Sequence, residues 1–170
     1  MLKLLLGFVL GLIAVLLAVG LYFKLGMAPV ATAAAPMPFE EFLAKMALDA
    51  RIAKEMPSQV PIQPSEDNLL AGAKIYREQC AVCHGTSDQP ETAIAKGMFP
   101  DPPQLFKSHG VTDDPPGETY WKAANGIRLT GMPGFKGSLT DTQLWQVSVM
   151  LANADKLPPA AKAALSQAPQ

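Results

Sequence analysis

The sequence predicts a chain built from helices. Three observations carry this: a long uncharged apolar run near the N-terminus, later segments whose apolar residues recur at helical spacing, and no strand-like alternation around the two cysteines. With 170 residues, 49% of them apolar and 17% charged, the chain has room for one ordinary domain plus extra segments. Fourteen basic residues against fifteen acidic ones leave a net charge of -1, which offers a phosphate backbone no general attraction and argues against nucleic acid as a partner. Sixteen prolines, many grouped with alanine toward the two ends, assign much of the remaining length to extended linkers. Two cysteines are too few for a disulfide scaffold.

Leu4 to Phe23 carries no charge and is bounded by Lys3 and Lys24. A helix of that length reaches roughly 30 Å, the thickness of a bilayer core. The apolar region of a cleaved signal peptide is shorter, about 7–15 residues, so the expectation is an uncleaved anchor; the Ala31-Thr32-Ala33 pattern lies well past the run. Lys3 and Lys24 determine orientation only weakly. Gly7 and Gly11 form a GxxxG pattern that would let a second membrane helix approach, although glycine is common in such helices anyway.

Gly26 to Pro38 is an Ala/Pro-rich tether. Phe39, Phe42, Leu43, Met46, Ala50, Ala53 and Met56 then share one helical face, predicting an amphipathic helix over 39–56 that Pro57 ends. Its stripe is expected either to pack on the soluble domain or membrane interface, or to dock on a partner subunit. Ser65 is a helix cap, with Glu66 and Asp67 in the first turn and Leu69, Leu70, Ala73, Ile75 and Tyr76 as apolar content. Later, Gly110 to Asn125 reads as a loop followed by a short helix that carries Tyr120 and Trp121 and is closed by Gly126. Thr140-Asp141-Thr142-Gln143 is a capping box that opens a last helix with Leu144, Trp145, Ser148, Val149 and Ala152 on one face. The expected organisation is an anchor over 1–25, a linker over 26–64, a folded domain over 65–157 and an Ala/Pro-rich tail over 158–170.

The helix from Ser65 runs into Cys80-Ala81-Val82-Cys83-His84, the Cys-x-x-Cys-His attachment signature of c-type haem. Two thiols one helical turn apart can each add to a porphyrin vinyl group, and the adjacent His84 can give an imidazole nitrogen to iron. Four other readings stand beside it. A thiol redox pair wants a strand-helix-strand context. Zinc would draw on Cys80, Cys83 and His84 or His109 but lacks a second ligand pair. An iron-sulfur cluster lacks thiols, and a Cys80–Cys83 disulfide would need an oxidising compartment.

Beyond the pentapeptide, residues 65 to about 157 resemble a class I c-type cytochrome. Gly72 and Tyr76, eight and four residues before Cys80, match that family's glycine and aromatic on the first helix, and Trp145 matches the aromatic where first and last helices cross. The resemblance implies an all-α domain wrapped around one covalent haem c, held by Cys80 and Cys83. Gly131-Met132-Pro133-Gly134-Phe135 resembles the family's methionine-ligand loop, which implies His84 and Met132 as the iron ligands. Met98 is a second candidate, Met150 falls within the last helix, and His109 is the rival nitrogen ligand. Pro102-Pro103-Gln104-Leu105 resembles the segment whose carbonyl orients the haem histidine, without showing which proline does so. Tyr120 and Trp121 are expected to wall the haem crevice, and Arg128 either pairs with a haem propionate or is simply exposed.

Residues 65–157 hold eight basic and eleven acidic residues, so no lysine-rich docking ring is evident. The resemblance implies one-electron transfer between respiratory or photosynthetic membrane complexes, by a tethered carrier or by a haem subunit of a larger oxidoreductase. It places the haem domain in the periplasm and the N-terminus in the cytoplasm of a bacterial inner membrane, with a single pass. The other class is a haem-based ligand sensor or peroxidase, which needs a displaceable sixth ligand.

Overall fold

The computed structural model describes residues 1–88, 91–106 and 114–166, and all regular structure among them is helical. The chain divides into two compact units, residues 1–43 and 44–170.

The first unit holds α1, Leu2–Lys24, which is long and apolar enough to cross a membrane and buries none of its residues. Its 23 residues span roughly 35 Å at the helical rise. Tyr22 and Phe23 meet edge to face at its C-terminal end, and tyrosine is an amphipathic aromatic favoured where a span leaves the hydrocarbon.

The amphipathic helix forms as α2, Glu40–Glu55. Within the second unit the face that packs is a second one. Phe42 and Met46 of the predicted stripe are 64% and 52% exposed, whereas Ile52 is 4% exposed and Leu48 is half-buried. Leu48 and Ile52 are four residues apart and form a second apolar face on the other side of the helix. Periodicity finds apolar faces but does not choose between two; contacts at the C-terminal end of α2 make the choice. Glu55 accepts a hydrogen bond from Trp121 Nε1 at 3.2 Å, and a Cβ on Gly117 would overlap the Pro57 carbonyl. The second unit thus begins near Ala44 rather than at Ser65.

In that unit, α3, Glu66–Gln79, starts at Ser65, whose hydroxyl accepts the Asn68 N–H at 3.3 Å. It lies across α7, Asp141–Ala152, whose capping box is complete: Thr140 accepts from the Gln143 N–H and Gln143 Oε1 from the Thr140 N–H. The two helices approach so closely at Gly72 that a Cβ there would overlap the Gln146 carbonyl and lie 2.7 Å from Met150 Cβ. Leu69, Ala73 and Tyr76 pack there against Val147, Met150 and Leu151. The segment expected as a tail joins this core: α8, Pro159–Ser166, lies on α3 and buries Ala161, Ala164 and Leu165. Alanine-rich composition reads as a linker, yet three small or aliphatic residues at helical spacing suffice to bury one face.

The helix α6, Pro116–Asn125, packs on the other side of α7. Trp145, expected at the α3 crossing, instead stacks on Tyr120, with ring centroids 4.3 Å apart and planes 18° from parallel. Glycine and small side chains bring α3 and α7 together, so the large ring goes where α6 offers a flat partner. The Tyr120 hydroxyl donates to Asp141 at the start of α7.

Gly72→Ala is expected to cost on the order of 1–3 kcal/mol, because the new methyl meets backbone that cannot turn aside; thermal unfolding of the full-length protein measures it. The Asp141 carboxylate and burial hold the Tyr120 phenol up to about 12, against an ordinary value near 10. A raised phenol favours the folded state while it keeps its proton, so this contribution is full below about pH 10 and fades toward pH 12. Tyr120→Phe is therefore expected to flatten the loss of melting temperature across that interval; an unchanged slope contradicts it.

Candidate haem site

The site begins where α3 ends. Cys80 caps α3, its N–H donating to the Tyr76 carbonyl at 2.8 Å, and the single turn α4, Ala81–His84, follows. The His84 N–H bonds back to the Cys80 carbonyl at 2.9 Å, which sets Cys80, Cys83 and His84 on one tight turn. Gly85 closes it at a φ of 65°, a left-handed conformation where a Cβ would also strike Gln104 Oε1. Its carbonyl accepts the buried Tyr76 hydroxyl at 2.8 Å. The family-matching aromatic on α3 thus ties the end of the cysteine turn to the core.

His84 Nδ1 donates to the Pro103 carbonyl at 2.9 Å, which identifies the proline left open by the sequence. Because a carbonyl can only accept, this bond fixes the Nδ1–H tautomer and leaves the Nε2 lone pair free for a metal. Burial lowers the His84 pKa and the Pro103 bond partly opposes it, so the ring is neutral at neutral pH. Gln104 Nε2 donates to the Cys83 carbonyl at 3.1 Å, tying the same proline segment to the cysteine turn.

A cavity of about 400 Å³ opens over this turn, within the range of cofactor clefts. Cys80, Cys83, His84 and Met132 all line it. Its walls are largely apolar: Tyr76 from α3, Val147 and Leu151 from α7, Ile127 and Phe135 around the methionine loop, and the prolines 100, 102 and 103. The loop itself is bolted to the end of α6. Phe135 N–H donates to the Ala123 carbonyl at 2.9 Å, Ile127 N–H to the Met132 carbonyl at 3.2 Å, and Met132 N–H to Thr130 Oγ1 at 3.1 Å.

The donor set fits a covalently held haem better than the rival chemistries. Burial, helped by Cys83, pushes the Cys80 thiol up to about 12, the opposite of the lowered pKa of a redox-active pair. Cys80 and Cys83 are not bridged to each other, and no group of three or more His, Cys, Asp or Glu able to hold a metal occurs among the described residues. What the turn presents is two thiols, a neutral imidazole with its second nitrogen already engaged, and a thioether on the same apolar cavity.

Several expected neighbours lie elsewhere. Tyr120 and Trp121 do not line the cavity; Thr119, Lys122 and Ala123 do, since residues three and four apart share the inward face of α6. Arg128 is exposed and absent from the lining. Among the described residues, the lysine that lines it is Lys122, which contacts Glu118 at 2.6 Å and Asp114 at 3.5 Å. Burial works against its charge, but the two carboxylates outweigh it and raise its pKa. The four-residue spacing of Glu118 and Lys122 was a signal available for this pair. Met150 is fully buried in the α3–α7 core, Met98 lines the cavity, and His109 lies outside the described residues.

Residues 67–149 match the family described as cytochrome C oxidase, cbb3-type, subunit III. No curated protein sequence matches the chain. Among solved structures, a chain of the reducing HAO-like protein complex of Kuenenia stuttgartiensis is similar at 24% identity and a TM-score of 0.47, over 57% of this chain and 48% of that one. The present chain therefore aligns with about half the length of that relative.

Proposed function

We propose that the chain is a c-type cytochrome anchored by its N-terminal apolar helix, as the family match over residues 67–149 supports, and that it passes single electrons between membrane-associated redox complexes, or does so as the haem subunit of one. One haem c would be held by Cys80 and Cys83, with His84 and Met132 as the two axial ligands. The observation that carries this reading is that all four residues line one apolar cavity while Pro103 fixes the His84 tautomer.

When bound, the haem supplies a one-electron iron couple. The chain's own residues determine how that couple behaves. Pro103 holds the imidazole with Nε2 free to bind a metal, and its carbonyl would make that nitrogen a stronger donor. Met132 offers a neutral, soft sulfur, which favours ferrous iron over ferric and raises the potential relative to a second imidazole. Val147, Leu151 and Phe135 keep water from the cavity, which lowers the local dielectric and disfavours added charge. With His84 and Met132 both holding iron, no position would remain there for a substrate, which supports electron transfer over catalysis.

Partner choice follows from charge and tethering. The net negative haem domain lacks a basic docking ring, so encounter rests on apolar contact at the cavity rim and on confinement to the membrane. Covalent haem attachment after export supports a single pass through a bacterial inner membrane, with the N-terminus in the cytoplasm and the haem domain in the periplasm. The family match, described as an oxidase subunit, supports the subunit variant as well as the free carrier.

The test is absorption spectroscopy of the full-length, haem-matured protein in detergent, with and without carbon monoxide. Wild type is expected to be low-spin in both redox states, to show a sulfur-to-iron charge-transfer band when ferric, and to bind no carbon monoxide. Met132→Ala is expected to lose the band and gain carbon monoxide binding. A wild-type protein that binds carbon monoxide directly contradicts the proposal and favours a ligand sensor or peroxidase.

A further inference from the structure

We propose that Met98 is a positioning residue that braces the Met132 loop, so that one short stretch, residues 98–103, governs both axial ligands. The inference rests on the reading that His84 and Met132 ligate iron.

The loop that carries Met132 is clasped from one side by the end of α6. A Cβ on Gly126 would lie 2.8 Å from the Met132 carbonyl oxygen and 2.7 Å from the Pro133 carbonyl carbon, and one on Gly134 would lie 2.8 Å from the Asn125 carbonyl. Gly131, immediately before the ligand, faces a different neighbour. The Met98 methyl occupies the space where its Cβ would stand, with the Met98 sulfur 3.3 Å from that point. Glycine at 131 thus admits the Met98 thioether against the ligand loop, and Met98 and Met132 line the same cavity.

Met98 is itself grounded. Its N–H donates to the Ala95 carbonyl at 3.1 Å, at the end of the short helix α5, Ala93–Lys96. Thr92 caps that helix, and its hydroxyl donates to the Val82 carbonyl at 2.6 Å, inside the Cys80–His84 turn. Five residues beyond Met98, the Pro103 carbonyl holds His84. The segment is therefore fastened to the cysteine turn before Met98 and after it, and between those fastenings it presses on the opposite ligand's loop. Methionine suits this role, since its unbranched thioether fills an irregular gap that a β-branched side chain would not enter.

A loop held on both sides opens less often, and an outside ligand for iron binds only as often as the loop opens. The experiment is titration of the ferric, haem-loaded full-length protein with imidazole, together with the intensity of the sulfur-to-iron band. Met98→Ala is expected to bind imidazole at least about ten-fold more tightly than wild type and to weaken the band, while Met98→Leu, which keeps the volume, stays within about two-fold. The Met98 methyl is the free end of a flexible side chain, so Gly131→Ala turns it aside and removes the brace by a second route. The Met98→Ala/Gly131→Ala double variant is then expected to bind imidazole no more tightly than either single variant, the non-additivity of two changes to one contact. If Met98→Ala does not fold, Gly131→Ala compared with Met98→Leu still decides the matter.

Imidazole affinity and band unchanged in Met98→Ala and in Gly131→Ala, or additive effects in the double variant, overturn the brace. Loss of the band in Met98→Ala with retention in Met132→Ala also overturns it, since Met98 would then be the ligand itself. Failure of the ligation reading looks different: wild type would already bind imidazole as readily as Met132→Ala.

Discussion

The close approach of α3 to α7 at Gly72 is the constraint on which the rest of the haem domain depends. Only a residue without a Cβ lets the Gln146 carbonyl and Met150 come so near, and that nearness aligns Tyr76 with the core. Tyr76 in turn ties the Gly85 carbonyl, and with it the end of the cysteine turn, to the helix pair. Val147 and Leu151 wall the cavity from α7 while Cys80 and Cys83 enter it from the end of α3. A shift of one helix against the other would therefore move a cavity wall relative to Cys80 and Cys83.

A second level of control comes from segments with little regular structure. Pro103, Gln104 and Met98 belong to a stretch that is mostly irregular, yet their carbonyl, amide and thioether groups bear on His84, Cys83 and Gly131 respectively. Proline suits this stretch because its fixed φ holds a carbonyl in place without needing a donor of its own. The methionine loop uses the complementary device, glycines that allow backbone to lie against backbone at the end of α6. Rigidity at the site comes from these close approaches, and the helices supply the frame to which they are fastened.

Much of this was legible from residue order because the signals are local. Ser65 and Thr140 announce their helices through side chains that satisfy free N–H groups, and both caps are present. The Cys-x-x-Cys-His turn and the Gly-Met-Pro-Gly loop each carry their chemistry within five residues, and the structure brings them to one cavity. The failures were failures of long-range choice. The α2 helix has two apolar faces, and only the fold decides that Leu48 and Ile52 turn inward. Trp145 could serve either neighbour of α7, and Tyr120 offered the better surface. Residues 159–166 looked like linker by composition but pack on α3. Sequence proximity to Met132 is a poor guide to which side chain faces the cavity: Arg128 is exposed, while Lys122, one turn after Glu118, lines it.

The central claim is that the Cys80–His84 turn carries one haem by covalent bonds, and intact-mass spectrometry of the full-length protein matured with a haem-attachment system tests it most directly. The account predicts a chain heavier by one haem, with the added mass surviving acid-organic extraction and disappearing in a Cys80→Ser/Cys83→Ser variant. A chain at its bare mass, or one that releases its haem on extraction, would contradict it.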